Sequence, residues 1–302
     1  GTVTMIASRG AYQLRSRNIN AIRADGTRPL EITGAVYAYE TTGRSNQFQI
    51  VTGVSSRPGR GASFFLRYFL GWTKSDTDGA GSFPAIPADI GAEYSRASSD
   101  VRHRAMAGGN INAPWGIRIG PMLIMSTGRP YNITTGRDHN LDTVFSDRPS
   151  FGIAGEPGVV DTIYGPLDTT GAGVIIPRNY GDGPVFASLS LRVSKTISLK
   201  KTATTPSGPG AGGPPMGMGG GDHGGGGMGG MRGGGGPGLT FSISVSNVLN
   251  RQNDGTPVGN LSSPLFGQST SLGGFFMGFG RGGGGGSDAG NRRIELQVRA
   301  NF

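Results

Sequence analysis

The feature that most constrains this chain is a strict two-residue alternation of apolar and polar side chains that recurs along its length and is punctuated by connections of alternating length. It is clearest at the end of the chain, where Ile294, Leu296, Val298, Ala300 and Phe302 alternate with Arg293, Glu295, Gln297, Arg299 and Asn301. A period of two places each set on its own face of a β-strand. The same pattern holds from Ala187 to Leu199, across Phe64, Leu66, Tyr68, Leu70 and Trp72, and across Ile117, Ile119, Leu123 and Met125. Phe48, Ile50 and Val54 share a face, and Phe241, Ile243 and Val245 oppose Ser242, Ser244 and Ser246. Val3 to Arg15 and Val101 to Asn112 follow the pattern less regularly. The total is about eight strands of roughly 9 to 12 residues, the length a tilted strand needs to cross a bilayer.

The connections carry as much information as the strands. Pro58 to Gly61 and Ala113 to Pro114 are tight turns, whereas residues 16–46, 76–99, 128–185 and 250–290 are long. Long and short connections in alternation are the pattern of an antiparallel transmembrane β-barrel, with short periplasmic turns and long external loops. With the last strand ending in the periplasm at Phe302, all four long segments fall outside. Phe48 and Trp72 then sit toward the external interface, and Phe64, Trp115, Phe241 and Phe302 toward the periplasmic one, as in aromatic girdles. No apolar run approaches the roughly 18 residues of a membrane helix, so a helical membrane protein is excluded. The chain opens at Gly1 in an alternating stretch without a basic-then-apolar leader, which reads as a mature form or a fragment.

Composition bears on the exceptions. Glycine supplies 58 of 302 residues, and residues 207–238, on the nominal periplasmic side, hold 19 of them. Such a tract loses much backbone freedom on ordering and offers little area in return, so residues 200–238 are expected to form a disordered Gly/Pro/Met-rich insertion. The absence of Cys excludes disulfides, thiolate-held zinc and thiol nucleophiles. Three His remain, His103, His139 and His223, and none stands in a nucleophile elbow or a zinc-protease spacing. No enzymatic activity is expected.

The net charge of +9 invites a nucleic-acid reading until the charges are placed. The four long segments hold 16 of the 19 acidic residues and 11 of the 28 basic ones, which makes them net acidic and leaves the strands and short turns strongly basic. Arg67, Arg118, Arg192, Arg293, Glu295 and Arg299 fall on the polar faces of their strands, where a barrel points them into its lumen. Arg suits a wet interior because its fork pairs with carboxylates of a plug, a loop or an anionic solute. Arg232 and Arg281 stand alone before Gly runs without aromatic interleaving, so no nucleic-acid partner is expected.

The order of Arg15-Ser16-Arg17-Asn18-Ile19-Asn20, Asp76-Thr77-Asp78-Gly79, Asp100-Val101-Arg102-His103-Arg104, Ser126-Thr127-Gly128-Arg129-Pro130-Tyr131-Asn132-Ile133-Thr134-Thr135-Gly136, Asp147-Arg148-Pro149 and Ser246-Asn247-Val248-Leu249-Asn250 resembles the C-terminal barrel half of TonB-dependent outer-membrane receptors. The branch it most resembles is the Oar-like receptors, which carry a carboxypeptidase-regulatory-like N-terminal domain. The resemblance runs along nearly the whole chain. It implies a fold in which these strands belong to a larger, about 22-stranded barrel filled by an N-terminal plug that TonB pulls upon, the plug lying outside this chain. It further implies outer-membrane lipid, the TonB complex and the barrel-assembly machinery as partners, with the terminal Phe302 as the assembly signal. The solute is left open among siderophores, cobalamin, glycans and peptides. A structural or adhesive outer-membrane barrel without transport is the alternative.

Within this frame the loop from Gly128 to Asp147 is the expected ligand contact, through Arg129, Tyr131, Asn132, Arg137, Asp138 and Asp142, since a polar loop with aromatic and charged groups above a lumen suits a large hydrophilic ligand. Asp138, Asn140 and Asp142 also stand at positions one, three and five of a calcium loop, but Thr143 replaces the favoured Gly and Pro149 the closing Glu. The stretch therefore reads as an Asx-stabilised turn, with calcium as the alternative that needs ligands from elsewhere. No other cofactor is expected. Phe275, Phe276, Met277 and Phe279 form an apolar cluster in the last long segment, either packed on neighbouring loops or serving as a lip for a ligand.

Overall fold

The computed structural model describes residues 1–23, 25–59, 61–199, 237–274 and 290–301. Nearly all the regular structure is β. Eight long strands, β1 (Thr2–Asn18), β2 (Tyr37–Ser56), β3 (Ala62–Ser75), β4 (His103–Ala113), β5 (Ile117–Ser126), β6 (Phe186–Ser198), β7 (Gly238–Ser246) and β8 (Arg293–Asn301), form one sheet in chain order. Every neighbouring pair is antiparallel. The sheet is open: among the described residues β1 and β8 do not pair with each other. Two single-turn 3-10 helices are the helical content among the described residues, and no helix there is long and apolar enough to cross a membrane.

The alternation in sequence becomes two chemically distinct faces because antiparallel register keeps cross-strand partners on the same side. Phe48 opposes Trp72, Leu66 opposes Ala107, Leu123 opposes Leu189, Val193 opposes Ile243, and Ile243 opposes Leu296. This apolar face is open to its surroundings, with Met5, Val54, Leu296 and Val298 more than half exposed. A soluble sheet would bury such a face, whereas a barrel wall turns it to lipid. The buried apolar residues lie elsewhere, in the long connections.

The register places Arg67, Arg118, Arg192, Arg293, Glu295 and Arg299 together on the opposite face. Arg67 opposes Met106, which opposes Ile124, an even number of residues along β5 from Arg118 and so on the same face, and Arg118 opposes Ser194, which opposes Ser242 and in turn Gln297. Arg293 pairs with Glu295 at 2.7 Å, and the other four make no salt bridge among the described residues.

The weak alternation of β1 has a structural cause. Between Gly10 and Gln13 the ladder breaks in a β-bulge at which Tyr12 takes φ 56°. Before it Val3, Met5 and Ala7 face outward with Ile50 and Phe48; after it Gln13 faces inward beside Ser45, and Arg15 follows. A compensating irregularity in β2 restores the pairing, so Arg15 opposes Glu40. The bulge thus re-aims one arginine from the outer to the inner face, a recurrent use of such insertions. β1 and β2 also run further than their apolar pattern reaches. The first long connection narrows to residues 19–36, and the extended hairpin is held by Arg17 to Glu40 at 2.5 Å.

The turn between β4 and β5 is a single 3-10 turn, Pro114–Gly116, with Trp115 in the left-handed region at φ 62° and 82% exposed. Residues 201–236, Phe275 to Phe279 and Phe302 lie outside the described residues, and with them most of the Gly-rich insertion, the apolar loop cluster and the terminal aromatic.

Candidate functional site

The long connections pack on one another above the strand ends rather than standing apart. The connection between β5 and β6 builds its own nucleus from Tyr131, Ile133, Leu167 and Ile176, with Tyr164, Tyr180, Leu261 and Phe266 against it. Pro130–Tyr131 pairs with Gly181–Asp182, and Gly165–Asp168 pairs with Val159–Thr162 and Ser150–Phe151. The connection after β7 threads alongside: Thr134 N–H donates to Gly259 O at 2.9 Å and Leu261 N–H to Thr134 O at 2.9 Å. Two glycines allow the crossing. A side chain at Gly128 would run into the backbone of Gly183, and one at Gly259 into the carbonyl of Asn132.

Three ion pairs brace this layer, the first two of them buried on both sides. Arg15 meets Asp76 at 2.7 Å, and the Asp76 carboxylate also accepts the Arg44 N–H at 2.8 Å. Arg148 meets Glu93 at 2.8 Å with both side chains at most 2% exposed; Arg148 Nε donates to Ile176 O and Glu93 accepts from the Ala85 N–H. Arg178 meets Asp78 at 3.1 Å and donates to Ser75 O. Asp100 accepts the Thr73 N–H at 2.7 Å and lies near Arg96 and Arg102. Every charge is paired, and Asp76, Asp78, Glu93, Asp100, Arg148 and Arg178 are also hydrogen-bonded, a condition under which buried ions persist, whereas Arg15 Nε and Nη2 make no hydrogen bond among the described residues.

Beside this framework lies a cavity of about 570 Å³ lined by Lys74, Tyr94, Ser95, Arg96, Tyr164, Pro177, Arg178, Asn179, Tyr180 and Asp182. Its chemistry is aromatic and cationic. Tyr164 and Tyr180 meet edge to face with centroids 6.2 Å apart, and Arg96 pairs with Asp182 at 2.8 Å. Burial pulls the Arg178 guanidinium below its ordinary range, and its Nε has no hydrogen-bond partner among the described residues.

The six expected ligand residues divide into three groups. Tyr131 is buried and Asn132 half-buried, and both stand behind the cavity: Tyr131 Oη lies 3.1 Å from Tyr164 Oη, and Asn132 Oδ1 accepts the Asn179 N–H at 3.4 Å. Burial raises the Tyr131 phenol well above its usual value, so it stays a neutral hydrogen-bonding group. Arg129 and Arg137 are exposed, and Arg129 Nε donates to Ser98 O. Asp138 and Asp142 belong to a separate turn. Asp138 accepts the N–H groups of Asp142 and Thr143, Asn140 Oδ1 accepts Asp142 N–H, and Asp142 accepts Val144 N–H at 2.8 Å. Asn18 of β1 holds the turn by donating to Asp142 O at 2.7 Å. These oxygens, for which an Asx-stabilised turn is the expectation and calcium the alternative, accept backbone N–H groups. Among the described residues no group of three or more His, Cys, Asp and Glu is arranged to hold a metal ion. Burial pushes the Asp142 carboxyl up to about 6, with Asp147 and Asp138 adding repulsion against the hydrogen bonds from Val144 and Asn140. Asp147 is raised as well, again chiefly by burial.

Sequence reasoning missed Tyr94, Arg96, Tyr164, Tyr180 and Asp182. Arg96 and Asp182 stand 86 positions apart and meet through their ion pair, Ser95–Arg96 being held against Lys74 and Ser75 of β3 and Gly181–Asp182 against Pro130–Tyr131.

No protein-family model matches the chain, and no curated protein matches it. Among solved structures it is similar to the outer membrane transporter YddB from Escherichia coli, with a TM-score of 0.49 and 10% identity over 98% of this chain. The chain spans 29% of the length of that structure.

Proposed function

We propose that this chain forms part of the wall and the external loops of an outer-membrane transport barrel, and that the loop layer binds a solute before it enters the lumen. The observation that carries the reading is the sheet itself: one exposed apolar face, one polar face bearing Arg67, Arg118, Arg192 and Arg299, tight turns at one end and a braced loop layer with a cavity at the other. A monomeric soluble protein does not leave a face of that extent uncovered. The role assigned to the loops is binding without covalent chemistry. Tyr164 and Tyr180 offer ring faces, and Arg96 and Arg178 add guanidinium groups shared with Asp100, Asp182 and Asp78, a lining suited to a solute carrying hydroxyl or acidic groups. The finer reading, drawn from the motif order in the sequence, is a receptor of the TonB-dependent type whose plug and energy-coupling segment lie outside this chain.

The test is uptake by cells expressing the full-length protein, with and without TonB, together with their outer-membrane fraction. Uptake that needs TonB and falls when Tyr164 and Tyr180 are replaced by Ala supports the proposal. A protein that resides in the outer membrane and mediates attachment without uptake of any solute replaces it with a structural or adhesive role.

A further inference from the structure

The outer face of β1, β2 and β3 carries a second recess, of about 420 Å³, that shares only Lys74 with the lining of the loop cavity. Its residues follow from the register. Ala7, Phe48 and Trp72 form one outward-facing rung, and Arg9, Asn46 and Lys74 form the next rung toward the external loops. Below lie Met5, Ile50 and Leu70; above, the strands leave the apolar band at the Gly10 bulge. The rung of Arg9, Asn46 and Lys74 is therefore the upper boundary of the apolar face. Alternate strands are about 10 Å apart, so two long cationic side chains from β1 and β3 reach one headgroup between them.

The groups around these cations leave them available. Arg9 and Lys74 are exposed and make no salt bridge among the described residues. Asn46 donates to the Tyr94 hydroxyl at 2.6 Å, and the nearby Arg96 is taken up by Asp100 and Asp182. Phe48 and Trp72 lie with centroids 5.9 Å apart and a 34° tilt, and the Arg102 guanidinium covers the Trp72 ring at 5.3 Å. An apolar shelf thus sits directly beneath a pair of uncommitted cations at the edge of a lipid-facing wall.

We infer that this recess binds the phosphorylated headgroup of an outer-leaflet lipid, with phosphate between Arg9 and Lys74 and acyl chain against Phe48 and Trp72. Arg supplies a two-pronged donor and Lys a compact charge, both suited to phosphate, while an aromatic pair suits the junction of headgroup and chain. The inference rests on the reading of this face as lipid-facing.

The test places the full-length protein in phosphatidylcholine nanodiscs containing increasing lipid A and counts retained lipid A by native mass spectrometry. Arg9→Gln with Lys74→Gln is expected to weaken retention about thirty-fold, from roughly 1 kcal/mol for each basic residue near an anionic surface. Arg57→Gln with Lys195→Gln, which removes equal charge at the short-turn end, leaves retention unchanged, and dephosphorylated lipid A is not retained by the unaltered protein. Equal retention by the inserted Arg9/Lys74 variant overturns the site alone, as does displacement of lipid A by inorganic phosphate, which assigns a soluble anion instead. Failure of the unaltered protein to enter the bilayer overturns the barrel reading and the site with it.

Discussion

Replacing Arg148 with Met isolates the bracing of the loop layer from the sheet that carries it. Arg148 and Glu93 lie 2.8 Å apart, 1% and 2% exposed, on two connections separated by 55 positions in sequence. Met fills most of the aliphatic volume but leaves the Glu93 carboxylate with only the Ala85 N–H as partner. Breaking one side of a buried pair costs about 3–5 kcal/mol, because the remaining ion is desolvated without compensation. Hydrogen exchange by mass spectrometry reads this locally: protection of residues 85–96, 147–152 and 175–180 should fall by between about a hundred-fold and several thousand-fold, at roughly 1.4 kcal/mol for each factor of ten. Where the layer's own stability is smaller than this cost, protection there is lost altogether. Strands β5 and β6 should keep theirs, since the pair does not touch their ladder. Glu93→Gln alone costs a similar amount by stranding the guanidinium. Combined with Arg148→Met, Glu93→Gln recovers most of the loss, since the amide oxygen it introduces still accepts the Ala85 N–H and carries no charge. Unchanged loop protection in Arg148→Met, or a double variant whose loss is the sum of the two single losses, refutes the assignment of this pair as a brace.

The pH dependence of the same layer follows from Asp142, whose carboxyl is raised to about 6 from an ordinary 3.8. The folded loop binds the proton more tightly than the unfolded chain, so loop stability is highest below about pH 4 and falls as pH rises through 6, by an order of about 3 kcal/mol; exchange measured from pH 4 to 7 checks the sign, and protection increasing with pH contradicts it. On the sheet, Leu296→Arg introduces a charge at mid-strand on the apolar face and should cost about 2–4 kcal/mol in urea unfolding from bilayers, whereas Gln297→Arg on the polar face should be near neutral. Equal effects of the two would mean that the faces are misassigned. Gly128→Ala drives a methyl into the Gly183 backbone and should loosen the 128–185 connection by about 1–3 kcal/mol, read as faster proteolysis there, while Gly81→Ala, with open space around it, changes nothing.

The strands were legible because their signal is local. Alternation between Ile294 and Val298, or across Phe64 to Trp72, needs no knowledge of the rest of the chain, and each of the eight expected strands is present. β1 is the instructive case. Its alternation decays after Arg9 because a bulge inserts one residue, and a strict period carried through to Arg15 points that side chain outward when it in fact meets Asp76 on the inner side. The loops were far less legible. Arg15, Asp76, Asp78, Asp147 and Arg148 all stood out in the motif order, yet nothing local indicates that Arg15 pairs with Asp76, Arg148 with Glu93, or Arg178 with Asp78 across 100 positions. Tyr131 looked like a side chain offered to solvent; it is buried because Ile133, Leu167 and Ile176, spread over more than 40 residues, assemble a nucleus around it. Burial of a loop residue is a property of the partners it finds.

The acidic character of the loops also takes on a different meaning once its partners are known. In sequence the long connections are net negative, which suggests a negatively charged mouth. In the structure Asp76, Asp78, Glu93 and Asp100 are each spent on an arginine, and Asp142 and Asp147 on backbone N–H groups. At the cavity Arg96 is shared between Asp100 and Asp182 and Arg178 is paired with Asp78, which leaves Lys74 as the lining charge without a salt bridge among the described residues. The charge that the cavity lining presents is set by what is left after internal pairing, which a charge count over the loops does not give. Tyr164 is held by hydrogen bonds of its own, its Oη lying between Tyr131 Oη and the backbone of Asp182, and Tyr180 packs against its ring. On the proposed binding role, a loop layer ordered in this way avoids much of the entropic cost of closing over a ligand.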